Sequence, residues 1–167
     1  PDIVCIGKVF GGGLPLSACL SSQSVLSAWP ENDGEAIHTN TFLGNPLLCA
    51  TALAVLDIVE HLDVPERAEV LGSRLLSELQ DSLRGAERVS EVRGRGLMIG
   101  IELVTVDGSP WKGGALRVAE AALAQGLIIL PAGEYGHIVE LTPSAFLTED
   151  QATHSLVVLS SIIQKIH

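Results

Sequence analysis

The stretch of sequence that decides the fold is PDIVCIGKVFGGGLPLSA, residues 1–18. It contains a short apolar run, Ile3–Ile6, that a glycine ends. Apolar runs of this length bounded by turn residues are typical of buried strands. A glycine-rich loop follows, and the next apolar run, from Pro15 to Leu20, predicts a second strand. The stretch therefore predicts two strands joined by a loop that carries one lysine, Lys8.

Lys8 is the first candidate for chemistry, because it directly follows an apolar strand and precedes a cluster of glycines. A lysine amine in such a place can act as a nucleophile that forms a Schiff base with a carbonyl group. Glycines allow a ligand to approach the backbone closely. The alternative interpretation is a solvated loop lysine, since most lysines keep their charge in water. Residue types alone leave both interpretations open.

The segment HTNTFLGNP, residues 38–46, is the second candidate. Asn45 is a good helix N-cap and Pro46 suits the first helical position, so we predict a helix from there to about Leu62. Its apolar residues cover a wide face, which predicts a mostly buried helix. Hydroxyl groups and backbone amides just before a helix N-terminus favour a phosphate. An ordinary capped loop is the alternative, and for His38 a structural hydrogen bond is the simpler explanation.

The rest of the chain alternates between helical and strand patterns, which predicts an α/β fold. A boundary near Pro65 divides it into domains of residues 1–63 and 64–167. In the second domain we expect helices over residues 65–84, 114–125 and 148–165, and strands over residues 97–104, 127–130 and 138–141.

Composition excludes several classes of function. The 167 residues carry a net charge of −10, which argues against a nucleic-acid surface and against an anionic membrane surface. Cys5, Cys19 and Cys49 lack metal-ligand spacing, so we expect buried free thiols, no metal site and no disulfide framework. Free thiols suit a reducing cytoplasm. No stretch approaches the roughly 20 apolar residues of a membrane helix.

Three blocks together resemble the class III aminotransferases of fold type I, which use pyridoxal 5'-phosphate (PLP). The family pattern Pro-Asp-apolar, Gly-Lys, glycine cluster, Pro-Leu-Ser-Ala matches residues 1–18. His-x-x-Thr-Phe-x-Gly-Asn-Pro matches residues 38–46, and Val-Arg-Gly-x-Gly-Leu-Met matches residues 92–98. The resemblance implies that residues 1–63 are the end of the large PLP-binding domain, including the interdomain helix. Residues 64–167 would be the complete C-terminal small α/β domain.

The resemblance also implies roles for individual residues. Lys8 would form the Schiff base with PLP and then act as the base that moves the α-proton of the substrate. Thr41 would donate a hydrogen bond to the cofactor phosphate, typically that of the partner subunit in a homodimer with shared active sites. Arg93 would anchor a turn rather than contact substrate. The substrates implied are a small amine or amino acid and a keto acid.

Glu140 departs from the family pattern. Many members have Arg-x-x-Pro in the strand before the last helix, and that arginine commonly binds a substrate carboxylate. The matching residues here run from Glu140 to Pro143. A carboxylate attracts an amine or a guanidinium instead. Our hypothesis is that Glu140 binds a second amino group of the substrate; the alternative is that it pairs with a structural cation.

Members of the family are more than twice as long as this chain. Upstream of the lysine they carry an aspartate for the pyridine nitrogen, an aromatic that stacks on the ring and a phosphate-binding helix N-terminus. None of those motifs occurs in these residues, so we expect a fragment that is inactive alone. A racemase, epimerase or aminomutase of the same fold is one alternative function. A non-catalytic, dimerising small-domain protein is another.

Overall fold

The computed structural model describes residues 1–30, 34 and 38–166. The chain divides into two compact units, Pro1–Asp63 and Val64–His167. Each unit combines helices and strands, so the α/β class predicted from the sequence is confirmed.

The first unit begins with an antiparallel hairpin of β1 (Ile3–Ile6) and β2 (Ala18–Ser21). A short 3₁₀ helix, Lys8–Gly11, lies in the connection. The second strand begins later than predicted, because Pro15 has no N–H to donate to a neighbouring strand. Helix α1 (Gln23–Leu26) follows the hairpin.

Helix α2 (Pro46–His61) begins at the predicted residue. The side chain of Asn45 accepts hydrogen bonds from the backbone N–H groups of Leu47 and Leu48, at 3.0 and 3.4 Å. The prediction that this helix is mostly buried is wrong. Leu48 and Ala52 are its buried residues, because the hairpin and its loop provide too little surface to cover a wide apolar face. The large apolar side chains left exposed are Leu47, Leu53, Leu56 and Ile58.

The second unit contains a four-stranded antiparallel sheet in the order β3-β4-β6-β5. Its strands are β3 (Val89–Arg95), β4 (Met98–Leu103), β5 (Leu130–Ala132) and β6 (Ile138–Leu141). Strand β3 was missing from the prediction, and β5 begins later than expected. The N–H of Leu127 instead bonds to the carbonyl of Ala122, at 2.9 Å, where a helix ends.

Helices α3 (Val64–Ser82) and α4 (Gly114–Leu123) pack on this sheet, and α5 (Glu149–Lys165) packs against both helices and contributes to the same core. A capping box formed by Thr148 and Gln151 begins α5. Residues of β4 alternate between the buried and open faces, as expected for a strand with one covered face. The largest fully buried side chains are Leu79, Ile99, Ile101, Leu103, Val118, Val139, Leu159 and Ile163.

The cysteines differ from the prediction. Cys5, Cys19 and Cys49 are free thiols, but all three are exposed rather than buried. As for α2, no further layer of secondary structure covers the hairpin within residues 1–30, 34 and 38–63. Among the described residues, no helix is both long enough and apolar enough to cross a bilayer.

Candidate functional site

Lys8 occupies a strained backbone position at the start of the 3₁₀ helix. Its φ is 58°, in the left-handed region, which costs a non-glycine residue on the order of 1 kcal/mol or more. The side chain is exposed, and within the described part of the chain it makes no hydrogen bond or ion pair. The amine of Lys8 is therefore available to a ligand.

Glycines hold the Lys8 loop against α2. A Cβ atom built on Gly12, whose φ is 61°, would lie 3.1 Å from Cγ2 of Val55. A Cβ atom on the buried Gly11 would lie 3.2 Å from the backbone N of Leu16. A larger residue at Gly12 would push the loop away from α2, and one at Gly11 would press on Leu16 within the loop, so the two glycines fix the place from which Lys8 projects.

Thr41 lies in the turn that precedes α2. The side chain of Asn40 accepts a hydrogen bond from the backbone N–H of Phe42, at 2.9 Å, across this turn. Thr41 is exposed, and its hydroxyl is not hydrogen-bonded to any of the described residues. The hydroxyl can therefore donate to an anion.

The N-terminus of α2 differs from the anion site considered above. Asn45 already occupies the N–H groups of Leu47 and Leu48, so the Thr41 hydroxyl is the better donor for a phosphate.

The Lys8 loop meets the same helix at Thr51, 3.6 Å from the Cβ position of Gly12. Thr51 lies about 8 Å along the helix axis from Pro46, at 1.5 Å per residue. The Lys8 loop thus contacts the middle of α2, at Thr51 and Val55, whereas the Thr41 turn precedes the first residue of the helix.

Glu140 lies in the second unit, on β6. Its cross-strand partners are Gly100 and Leu130, on the sheet face opposite the fully buried Val139. Glu140 is half-buried. Among the residues that the structure describes, none forms an ion pair with it.

Arg93 is the cation opposite Gly100 in the same sheet, but it is paired elsewhere. Its guanidinium donates to Glu102 and to Glu91, each at 2.7 Å. The hydrogen bond to Glu102, with a smaller contribution from Glu91, raises the pKa of Arg93. Arg93 therefore stabilises the β3–β4 hairpin, and the structural cation considered as a partner for Glu140 is not found in the described residues.

A cavity of about 380 Å³ opens beside Glu140 within the second unit. Leucine and isoleucine side chains from α3, α5 and residues 127–130 form most of its wall, and Glu140 is the charged residue among those that line it. These leucines cover the Val139 face of the sheet, whereas the Glu140 side chain lies on the opposite face and lines a second cavity together with Arg93, Arg95 and Met98. Sequence reasoning singled out Glu140 but missed the cavity, because its walls come from segments far apart in the chain.

Comparison with protein families gives one match over nearly the whole chain. A family model described as aminotransferase class-III matches residues 1–163. The acetylornithine aminotransferase of Methanothermobacter thermautotrophicus is 34% identical over 163 residues, which cover 98% of this chain and 38% of that protein. The 4-aminobutyrate aminotransferase of Mycobacterium leprae is 36% identical over 167 residues, which cover 98% of this chain and 36% of that protein. The chain thus spans less than two-fifths of these relatives.

Solved structures agree with this assignment. A Bacillus anthracis aminotransferase superposes with a TM-score of 0.88 at 32% identity, over 99% of this chain and 39% of its own. An amine transaminase from an uncultivated Pseudomonas species, crystallised in its PLP-bound form, superposes with a TM-score of 0.86 at 35% identity. That match covers 100% of this chain and 39% of the transaminase.

Proposed function

Because the chain belongs to the class III aminotransferase family, we propose that it supplies the cofactor-binding lysine of an aminotransferase. The enzyme would move an amino group between an amine or amino acid and a keto acid. The observation that carries this proposal is the unpaired amine of Lys8, on a strained loop held against α2 by glycines. In this proposal residues 1–63 belong to the large domain and residues 64–167 form the small domain.

The residues present fit two parts of PLP. Its aldehyde requires a free amine, which Lys8 provides, and its phosphate requires a donor, which the exposed Thr41 hydroxyl provides. When bound, PLP supplies an electron sink for the reacting carbon of the substrate. Lys8 would hold the cofactor through its amine, and the same amine would take the proton from that carbon and return one to the product.

The assay that tests this function follows the keto acid. We expect the complete gene product, supplied with PLP and a set of amines and amino acids, to consume one keto acid for each amine converted. Interconversion of amino-acid isomers without consumption of a keto acid would instead support the racemase, epimerase or aminomutase alternative. Absence of any Lys8-dependent PLP absorbance band would support the non-catalytic, dimerising protein.

The family resemblance of residues 38–46, which include Thr41, supports a homodimer with shared active sites. In this proposal Thr41 donates to the cofactor phosphate held by the partner subunit, as the family resemblance implies. The cytoplasmic location stays a prediction, supported by the three free thiols.

Hybrid dimers test the shared site. We expect the Lys8→Ala homodimer to lose covalent binding of PLP. The Thr41→Ala homodimer should bind PLP about 10-fold more weakly, because it lacks one hydrogen bond to a charged group. When the two variants are dissociated and mixed, hybrid dimers form. Each hybrid should regain a wild-type site, because the intact Lys8 of one subunit is paired with the intact Thr41 of the other. If the two residues act within one subunit, mixing regains no wild-type site, and PLP titration of the mixture distinguishes the two results.

Glu140 is proposed as a substrate-binding residue because it stands where many family members have an arginine that binds a substrate carboxylate. Its carboxylate is half-buried and unpaired among the described residues. A substrate with a second amino group on a hydrocarbon chain would place that group against the carboxylate. Diamines and basic amino acids have this chemistry.

Substitution of Glu140 by glutamine keeps the shape and removes the charge. In the complete gene product we expect Glu140→Gln to raise KM for diamines and basic amino acids by about 10- to 100-fold, the range for a lost charge-assisted hydrogen bond. KM for monoamines should stay unchanged. The matched control is Glu120→Gln, at an exposed position on α4, which should leave both unaltered. An equal rise in KM for all donors would contradict this role for Glu140.

A further inference from the structure

Arg95 and Glu140 line one cavity, of about 460 Å³, on the sheet face opposite Val139. Strand register sets their spacing, because Arg95 pairs with Met98 on one side of β4 and Glu140 pairs with Gly100 on the other side. The two positions are two strand spacings and two residues apart, which places their Cα atoms about 12 Å from each other. All of these residues belong to the second unit, so the pairing of β3, β4 and β6 within it determines this spacing.

A glycine keeps the space between the two charged side chains free. Gly100 has no side chain that could stand between β3 and β6, and in the described part of the chain no ion pair joins Arg95 to Glu140. Side chains stand roughly perpendicular to a sheet, so the guanidinium and the carboxylate face a common gap. A gap with a cation on one side and an anion on the other suits a group that carries both charges.

Arg93 lines the same cavity but is less suited to a ligand than Arg95. The guanidinium of Arg93 already donates to Glu91 and to Glu102, each at 2.7 Å. A ligand carboxylate that displaced these bonds would leave two glutamates without their cation, which is costly. Arg95 forms no ion pair or hydrogen bond through its side chain with any described residue, so its guanidinium is the one that can bind a carboxylate here.

We propose that Arg95 is a further specificity-determining residue of the Glu140 site, and that it binds the carboxylate of a substrate whose ammonium group Glu140 binds. An ammonium and a carboxylate on one carbon match the two charges of the cavity. Met98 and Ile138 line the cavity as well and would contact the hydrocarbon chain of such a substrate. The role of Arg95 rests on the proposed function, and it narrows the expected substrates from diamines and basic amino acids to basic amino acids.

Compounds that differ by one charged group test the two contacts separately. The complete gene product is assayed with ornithine and lysine, with the matching diamines that lack the carboxylate, and with the matching amino acids that lack the α-amino group. Arg95→Gln should raise KM about 10- to 100-fold for compounds with a carboxylate. It should leave KM for the diamines unchanged, which also shows that the variant is folded. Glu140→Gln should show the complementary pattern, with KM unchanged for the compounds that lack the α-amino group.

Two further variants control for charge and for position. Arg95→Lys keeps the positive charge but loses the two-pronged contact with a carboxylate, so its KM for ornithine and lysine should lie between those of wild type and Arg95→Gln. Arg84→Gln removes a guanidinium that pairs with Asp81 outside the cavity and should alter KM for none of the compounds.

Equilibrium binding distinguishes a failure of this role from a failure of the proposed function. Calorimetric titration of the Lys8→Ala protein, which cannot complete the reaction, should give the same pattern in Kd when Arg95→Gln or Glu140→Gln is added. An equal change in Kd for all compounds, no change with Arg95→Gln, or no binding of ornithine and lysine would overturn the role of Arg95. The expected Kd pattern without transamination of any amine would support the role of Arg95 and overturn the proposed function.

Discussion

Replacing Lys8 by alanine will abolish covalent binding of PLP and lower the transamination rate of the complete gene product by at least about 10²–10⁴-fold, the usual contribution of a positioned acid–base group. The substitution removes both the amine that holds the cofactor and the base that moves the proton. Loss of the visible absorbance band of the bound cofactor measures the first effect, and a steady-state assay of transamination measures the second. Lys112→Ala and Lys165→Ala are the matched controls and should retain wild-type values.

A second variant separates the amine from its charge. Lys8→Arg keeps the positive charge, but a guanidinium is neither a nucleophile nor a base at neutral pH. We therefore expect Lys8→Arg to be as inactive as Lys8→Ala. Substantial activity in either variant would mean that Lys8 is the solvated loop lysine of the alternative interpretation.

The second large effect concerns stability and comes from Gly72 in α3. A Cβ atom on Gly72 would lie 2.0 Å from the carbonyl oxygen of Gly96 and 2.2 Å from its carbon. Gly96 lies in the turn between β3 and β4, so the contact is with backbone that cannot move alone. We expect Gly72→Ala to lower the free energy of unfolding of the second unit by about 2–4 kcal/mol, despite the better helix propensity of alanine.

Urea denaturation of the 167-residue chain measures this loss. The variant Trp29→Phe serves as background, so that Trp111 in the second unit is the fluorescent reporter. Gly100→Ala is the matched control, because its Cβ atom would lie 3.4 Å from Cγ2 of Ile138, an ordinary contact. This variant should change the free energy of unfolding by less than about 1 kcal/mol. Equal stability of Gly72→Ala and Gly100→Ala would show that α3 does not approach the turn as closely as described.

The sequence predicted well those features that local chemistry determines. Asn45 and Pro46 set the start of α2, and Thr148 set that of α5, because a capping side chain acts within one helical turn. The α/β class followed from the alternation of helical and strand patterns. Lys8 and Thr41 could be named because the blocks that contain them resemble those of a known family.

Features that depend on distant neighbours could not be predicted. Burial of α2 requires a second layer, which residues 1–63 do not provide, so its wide apolar face is exposed. The pairing of Cys5 with Cys19 depends on strand register, which alternating patterns leave open. The close approach of Gly72 to Gly96 joins residues that no local pattern connects. The cavity beside Glu140 likewise requires α3, α5 and β6 to be in place.

Borohydride reduction tests the central claim most directly. The complete gene product is incubated with PLP, reduced, digested and mapped by mass spectrometry. We predict one phosphopyridoxyl group per chain, on Lys8, with Lys112 and Lys165 unmodified. A phosphopyridoxyl group on another lysine, with Lys8 unmodified, would contradict the assignment of Lys8 as the residue that binds the cofactor.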